Sequence, residues 1–484
     1  MSFQSVDWWL IAPSLTVCVS ALLTMLLQPF VSERRQEWIG HLSWIGMALA
    51  LVLCGQQIGE QGSTFSGQFV LDEFSLFFNM IFLAAGILTI FMSLDYLKKK
   101  ENNHGEFYPL VLFATYGMMV MASTTNLLVI FLGLEIMSVS LYVLAGFART
   151  QLRSTEAAIK YFLLGAFATG FTVLGIAFIY GVTGTFAIND VLTYFRQTPG
   201  IDAFLLIGAA LLIVGLGFKV AAVPFHMWAA DAYEGAPSPV TGFMSAGPKA
   251  AAFAAMLRIF SFGYQDFQAQ LEPLFWVLAV ATMIVGNIMA LRQENFKRML
   301  AFSSIAHAGY IMIALVVGTA EAASAAAFYL LCYALTNLGA FMIISLVDSS
   351  HAHDEVATIN DYAGLGRTRP LLGVLLLIFM ISLAGFPPTA GFVGKLVLFK
   401  AALAEGYYAL VVIAVINSLI SVYYYLRVIV KMFMADKDVQ PISVPALPAF
   451  LLLALIVAVV AVFAIGIFPH QWYPLEGLTA VTAR

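Results

Sequence analysis

A chain of 484 residues that is 61% hydrophobic and only 10% charged, with a mean hydropathy of +0.92, has too little polar surface to cover a water-soluble globule of that size. Its net charge of −4 argues against a nucleic-acid partner, and its three cysteines, Cys18, Cys54 and Cys332, lie in apolar runs without CxxC or Cys/His spacing, so neither disulfides nor iron–sulfur ligation is expected. The apolar runs have helix length rather than the short alternation of a barrel strand, so the fold class is all-α, a polytopic membrane bundle.

Runs of about 20 apolar residues predict 14 spans, starting near residues 8, 38, 75, 107, 125, 156, 203, 238, 272, 298, 321, 370, 403 and 446. The whole chain reads as one membrane domain: three N-terminal helices within 1–100, five spans in 107–261, five more in 272–435, and a last helix over 446–469. Arg34 and Arg35, Lys98 to Lys100, Arg149 and Arg153, Arg292 with Lys297 and Arg298, Arg367 with Arg369, and Lys431 with Lys437 fall in alternate connections, and the other set holds only Arg196 and Arg484. Positive residues stay inside, so both termini are expected on the outer face, and the first span is read as retained because its arginines follow it. The longest polar stretch, Asp348 to Arg369, is expected to be an inner connector, with the His351 and His353 pair solvated rather than metal-binding.

Two spans are broken. Span 7 contains Gly217-Phe218-Lys219 followed by Pro224, and span 12 contains Gly385-Phe386-Pro387-Pro388 followed by Lys395. Proline removes a donor and frees a carbonyl about four residues earlier, near Val220 in the first break and near Leu383 and Ala384 in the second. Paired breaks five spans apart are the pattern of an inverted repeat, with spans 4–8 and 9–13 as its units. Matching the two Gly-Phe pairs sets Lys219 against Pro387, so the break repeats while each lysine sits on its own side of it.

Glu135 is the acidic residue placed mid-span, and Lys219, Lys249 and Lys395 occupy other apolar segments. A charge at bilayer depth costs about 2.5–3.5 kcal/mol on insertion scales, so the four demand roughly 10 kcal/mol of compensation, which marks them as functional. With three lysines facing one carboxylate, protons can be exchanged as partners move. His307 lies mid-span and has a side chain that titrates near neutrality. His226, seven residues after Lys219, would share its helical face, and Lys160 pairs with Glu156 at i,i+4 near an inner helix end. Arg258, Lys400 and Arg427 sit near span ends, where long side chains snorkel to the interface.

The stretches FLGLEIMSVSLYVL around Glu135, GLGFKVAAVPFHMWAADAYEGAPSPVTGFMSAGPKAAAF from Gly215, NFKRMLAFSSIAHAGY from Asn295 and SLAGFPPTAGFVGK ending at Lys395 resemble the antiporter-like membrane subunits of respiratory complex I, in particular its bacterial N-type subunits. M-type subunits carry glutamate where this chain has Lys395, and L-type subunits are longer. Mrp-type cation/proton antiporter subunits share the pattern and stand as the alternative, with a non-pumping scaffold as a second. The resemblance implies proton transfer within a NADH:quinone oxidoreductase, with Glu135 and Lys219 as a coupling ion pair, Lys249 with His226 or His307 as a central relay, and Lys395 as the terminal group. It further implies no cofactor on this chain, with flavin, iron–sulfur clusters and quinone held by other subunits, and M-type and K-type neighbours in a bacterial inner membrane.

Overall fold

A computed structural model describes residues 6–197, 202–261, 265–351, 358–434 and 444–472. After α1 (Ala12–Leu27) and α2 (Glu37–Gln56), a two-stranded antiparallel hairpin of β1 (Gly62–Thr64) and β2 (Phe69–Leu71), with Gly62 opposite Leu71, leads into α3 (Glu73–Lys99). Then come α4 (Phe107–Ala122), α5 (Leu127–Ala145), α6 (Leu152–Thr183), the short α7 (Ile188–Gln197), α8 (Ala203–Val220), α9 (Met227–Gly235) and α10 (Ser238–Phe260). The second half holds α11 (Gln265–Leu291), α12 (Phe296–Val317), α13 (Ala320–Asp348), the one-turn α14 (Leu365–Thr368), α15 (Pro370–Ala384), α16 (Ala390–Ala404), α17 (Tyr408–Met434) and α18 (Ala449–Ile467). Among the described residues 11 helices are long and apolar enough to cross a membrane, and α4 and α15 are shorter apolar helices. The chain is an all-helical, multi-pass membrane protein.

Helix starts follow local chemistry. Asp72, Asn126, Asp202, Asn295 and Thr319 each accept a backbone N–H of the first turn of the helix that follows. The sequence reading missed the β hairpin and α7. In α7 the apolar residues Ile188, Val191, Leu192 and Phe195 recur at helical spacing inside an otherwise polar segment, too short a stripe to register as a span.

The centre of the bundle is α10, α12 and α13. Every residue of α10 is buried, and α12 and α13 are nearly as enclosed. α10 is rich in Gly, Ala and Ser, and small side chains let helices approach closely where lipid supplies no hydrophobic drive. The same device joins α6 to α8, where a Cβ on Gly175 would stand 2.7 Å from the Gly208 carbonyl oxygen.

Three expectations are corrected here. Arg258 does not snorkel: it is 4% exposed, donates through both terminal nitrogens to Asp72 at 2.8 and 2.9 Å and through Nε to the Ala122 carbonyl at 2.8 Å. It therefore clasps α10 to the start of α3, and a bidentate pair is the form in which a buried arginine is tolerated. Arg427 likewise bonds within the bundle, donating to the carbonyls of Leu291, which ends α11, and Gln293 just beyond it, while Lys400 is exposed. His351 is not solvated either: its side chain is 7% exposed and lies 3.4 Å from Asp361. His353, Lys437 and Arg484 lie outside the described residues.

Candidate functional site: a buried polar line between two helix breaks

The first break separates α8 from α9. Ala221 closes α8 in the left-handed region at φ 60°, and the chain turns through residues 222–226 before α9 resumes. This undoes the expectation that His226 shares a helical face with Lys219, because the helix does not run between them. His226 stands half-buried just before α9, and among the described residues no hydrogen bond joins it to Lys219 or Lys249. The Phe218 carbonyl accepts the Trp228 indole N–H at 2.8 Å and the Ala221 N–H at 3.0 Å, and the Val223 amide donates to Thr282 on α11 at 2.9 Å.

With the break closed by Trp228, Lys219 is left to a different partner. It is 4% exposed, donates to the Tyr142 hydroxyl at 3.0 Å, and sits 5.1 to 5.7 Å from the ring centres of Tyr142, Tyr161 and Phe218. An aromatic cage stabilises a desolvated ammonium through the ring quadrupoles without fixing its proton as a carboxylate contact would. Tyr161 is itself stacked on Trp228 at 4.3 Å, so cage and break are one unit. Glu135, on α5 with Tyr142, accepts from Thr169 at 2.8 Å. The expected direct Glu135–Lys219 ion pair is therefore not formed: Lys219 bonds Tyr142, and Glu135 bonds Thr169.

Lys249, 2% exposed on α10, donates to the carbonyl and hydroxyl of Ser304 at 2.9 and 2.6 Å and lies 5.9 Å from the Tyr233 ring. One turn further along α12, His307 has a phenol on each nitrogen, Tyr329 at 2.5 Å on Nδ1 and Tyr425 at 3.0 Å on Nε2. Tyr425 also meets the Ser303 hydroxyl. Tyr310 packs edge-on to His307 at 5.7 Å and presents its ring to Lys395 at 5.3 Å. Its hydroxyl joins Asn287, which also bonds Asn417 and Tyr424. Lys249, His307 and Lys395 are thus brought into one buried polar line, and His226 is not part of it.

The second break lies between α15 and α16, where Gly385 closes α15 at φ 89°, a conformation glycine adopts without strain. Lys395 reaches back from α16 to donate to the carbonyls of Leu383 and Ala384 at 3.2 and 3.1 Å and to Ser418 at 2.9 Å. Those are the two carbonyls that the Pro387-Pro388 pair was expected to free. Matching the left-handed caps, Ala221 with Gly385, sets Pro224 against Pro388 and Lys219 against Leu383. That replaces the match through the Gly-Phe pairs; the lysines still lie on opposite sides of their breaks.

Lys160 does more than pair with Glu156 at 2.7 Å: it also donates to Asp231 on α9 at 2.8 Å. Arg298 of α12 binds Asp231 at 2.6 Å and Glu234 at 2.8 Å. With Arg153 these residues line an open polar cavity of about 250 Å³. Two helices that line it also carry groups beside Lys249, Tyr233 on α9 and Ser304 on α12.

Sequence reasoning missed the phenols, Ser303, Ser304, Asn287 and the acidic pair on α9. Tyrosine in an apolar run reads as core, and only adjacent polar pairs such as Ser303-Ser304 gave a signal.

A fold of this kind, helices broken at matching points around buried lysines, was compared with known proteins. A family described as the transmembrane region of NADH:quinone oxidoreductase/Mrp antiporter matches residues 124–421. The chain belongs to that family. Among curated relatives it is 48% identical to NADH-quinone oxidoreductase subunit N of Trichlorobacter lovleyi, covering 97% of this chain and 96% of that one. It is 42% identical to subunit N 1 of Solibacter usitatus, with 97% and 96% covered. Among solved structures it is similar to a chain of respiratory complex I from Thermus thermophilus, with TM-score 0.81, 35% identity, and 96% and 98% covered. A chain of the Mrp complex from Dietzia matches with TM-score 0.83 at 23% identity over 97% and 96%, a likeness of fold alone.

Proposed function

We propose that this chain is the N-type, proton-translocating membrane subunit of a NADH:quinone oxidoreductase, carrying protons along Lys219, Lys249, His307 and Lys395. The observation that carries this reading is the buried line itself, in which lysines bonded to hydroxyls, carbonyls and aromatic faces, rather than locked to carboxylates, follow one another between two helix breaks. Glu135 biases Lys219 electrostatically from α5, and the polar cavity around Lys160, Asp231 and Arg298 supplies a water-accessible mouth on the inner side. Quinone reduction in partner subunits would perturb charge near Glu135 and pass along the line as successive shifts in lysine proton affinity.

In this reading the helices make 14 crossings. α4 to α10 form the first five-span unit within 107–261 and α11 to α17 the inverted second within 272–435, with α8/α9 and α15/α16 each counted as one broken span. Residues 1–100 add three crossings and 446–469 the last, and both termini face outward from a bacterial inner membrane. M-type and K-type membrane subunits are the expected neighbours, because the similar solved chains come from multi-subunit complexes. Flavin, iron–sulfur clusters and quinone belong to other subunits of that assembly, and His226 and Lys160 act at most as accessory groups.

The test is Lys219→Ala in the fully assembled complex, reconstituted into vesicles. Protons moved per electron should fall, and so should coupled turnover; if both stay at wild-type values, Lys219 carries no coupling role. Lys249→Met separates proton carriage from scaffolding, since a scaffold keeps coupled activity once assembled.

A further inference from the structure

Among the gaps in the polar line, one falls between Lys249 and His307. The Lys249 cluster ends at Ser304, and the His307 cluster is closed by Tyr329, Tyr425 and Ser303, with no hydrogen bond from one cluster to the other among the described residues. Tyr333 of α13 stands at this gap. It is 4% exposed, its ring lies 4.9 Å from that of His307, and among the described residues its buried hydroxyl makes no hydrogen bond of good geometry, with Ser304 beside it. The other phenols around His307 are all bonded: Tyr329 and Tyr425 to its ring nitrogens, Tyr310 to Asn287. Ser304 and Tyr425 are among the polar groups near the Tyr333 hydroxyl. A buried hydroxyl left unpaired is disfavoured in a folded interior and calls for an explanation.

Resting on the proton-carrying function above, we propose that the Tyr333 hydroxyl is the link that carries the proton between Lys249 and His307. An N–H bond of Lys249 breaks as an O–H bond forms on Ser304. The serine passes its own proton to Tyr333, Tyr333 passes its proton to Tyr425, and Tyr425 protonates Nε2 of His307. Each hydroxyl gains one proton and gives one, so Lys249 ends neutral and His307 charged, with no other species consumed. The unpaired state of Tyr333 suits a group that bonds to each side in turn.

Tyr333→Phe removes one oxygen atom and leaves the ring in place. In the assembled complex in vesicles, coupled quinone reductase turnover should fall roughly tenfold or more, as for loss of a positioned proton donor, protons per electron should fall, and the solvent deuterium isotope effect should rise. Tyr362→Phe, which deletes another buried unpaired hydroxyl packed against Phe296 away from the line, should change none of these. If Tyr333→Phe keeps wild-type turnover and proton ratio while Lys249→Met loses them, the Tyr333 link is wrong and the proton-carrying function stands; if both keep them, that function is wrong. In the otherwise unsubstituted complex, a ring-13C tyrosine placed at 333 should shift its phenol C–O infrared band between resting and turnover states. A band that does not move overturns the link even where the phenylalanine variant fails to assemble.

Discussion

At the first break the indole of Trp228 donates to the exposed carbonyl of Phe218 and Lys219 is held by Tyr142 and an aromatic cage, whereas at the second Lys395 itself donates to the carbonyls of Leu383 and Ala384. Both helices end in the left-handed region, and both leave backbone acceptors that lipid cannot satisfy. The difference lies in which side chain meets that need. Where a neutral donor closes the helix, the lysine's charge is available to respond to a distant carboxylate. Where the lysine closes it, losing a proton also loosens the backbone, so chemistry and local structure are coupled at Lys395 and largely separate at Lys219.

The sharpest way to break this contrast is Lys395→Met. It orphans two buried carbonyls at about 1–3 kcal/mol each, so the complex should show a clear loss of thermal stability in detergent as well as of proton pumping. Lys395→Arg should recover part of the stability and none of the pumping, because a guanidinium donates but does not release its proton; full recovery of pumping would remove Lys395 from the line. Next comes Trp228→Phe, which keeps the stack on Tyr161 but leaves the Phe218 carbonyl with only the Ala221 N–H at 3.0 Å. A loss of about 0.5–1.5 kcal/mol is expected from denaturant or thermal unfolding, and no loss would mean that the Ala221 N–H alone is enough to close the first break.

Lys219→Met should cost less, about 1 kcal/mol or below, because one hydrogen bond and the cage contacts go while a buried charge is also removed. Its pumping should nevertheless fail. A stability loss equal to that of Lys395→Met would erase the distinction between the breaks. Glu156→Gln is expected to be the mildest change, at most about 0.5 kcal/mol, since the Glu156–Lys160 pair is exposed and Lys160 keeps Asp231; a larger effect on pumping than on stability would bring the inner cavity into the transfer line.

Glu135, Lys219, Lys249, His307 and Lys395 were legible in the sequence because a titratable group inside an apolar run has no compositional excuse, and the breaks were legible because proline removes a backbone donor wherever it falls. The carbonyls freed at Leu383 and Ala384 followed from the same arithmetic. Arg258 misled for the opposite reason: its place near a span end says nothing about Asp72, which is 186 positions away in the chain. His226 misled because helical periodicity was extended across a turn that interrupts it.

By itself, then, the sequence determined that this chain is a helical membrane protein, where its helices fail, and which charges lie at bilayer depth, since each of these depends on local hydropathy, local sterics and the cost of a charge in lipid. Only the tertiary structure decided the partners: an aromatic cage rather than a carboxylate for Lys219, two backbone carbonyls for Lys395, and the ring of Tyr333 beside His307. Those outcomes depend on which helices pass within hydrogen-bond reach of one another, and that is fixed by packing across the whole bundle.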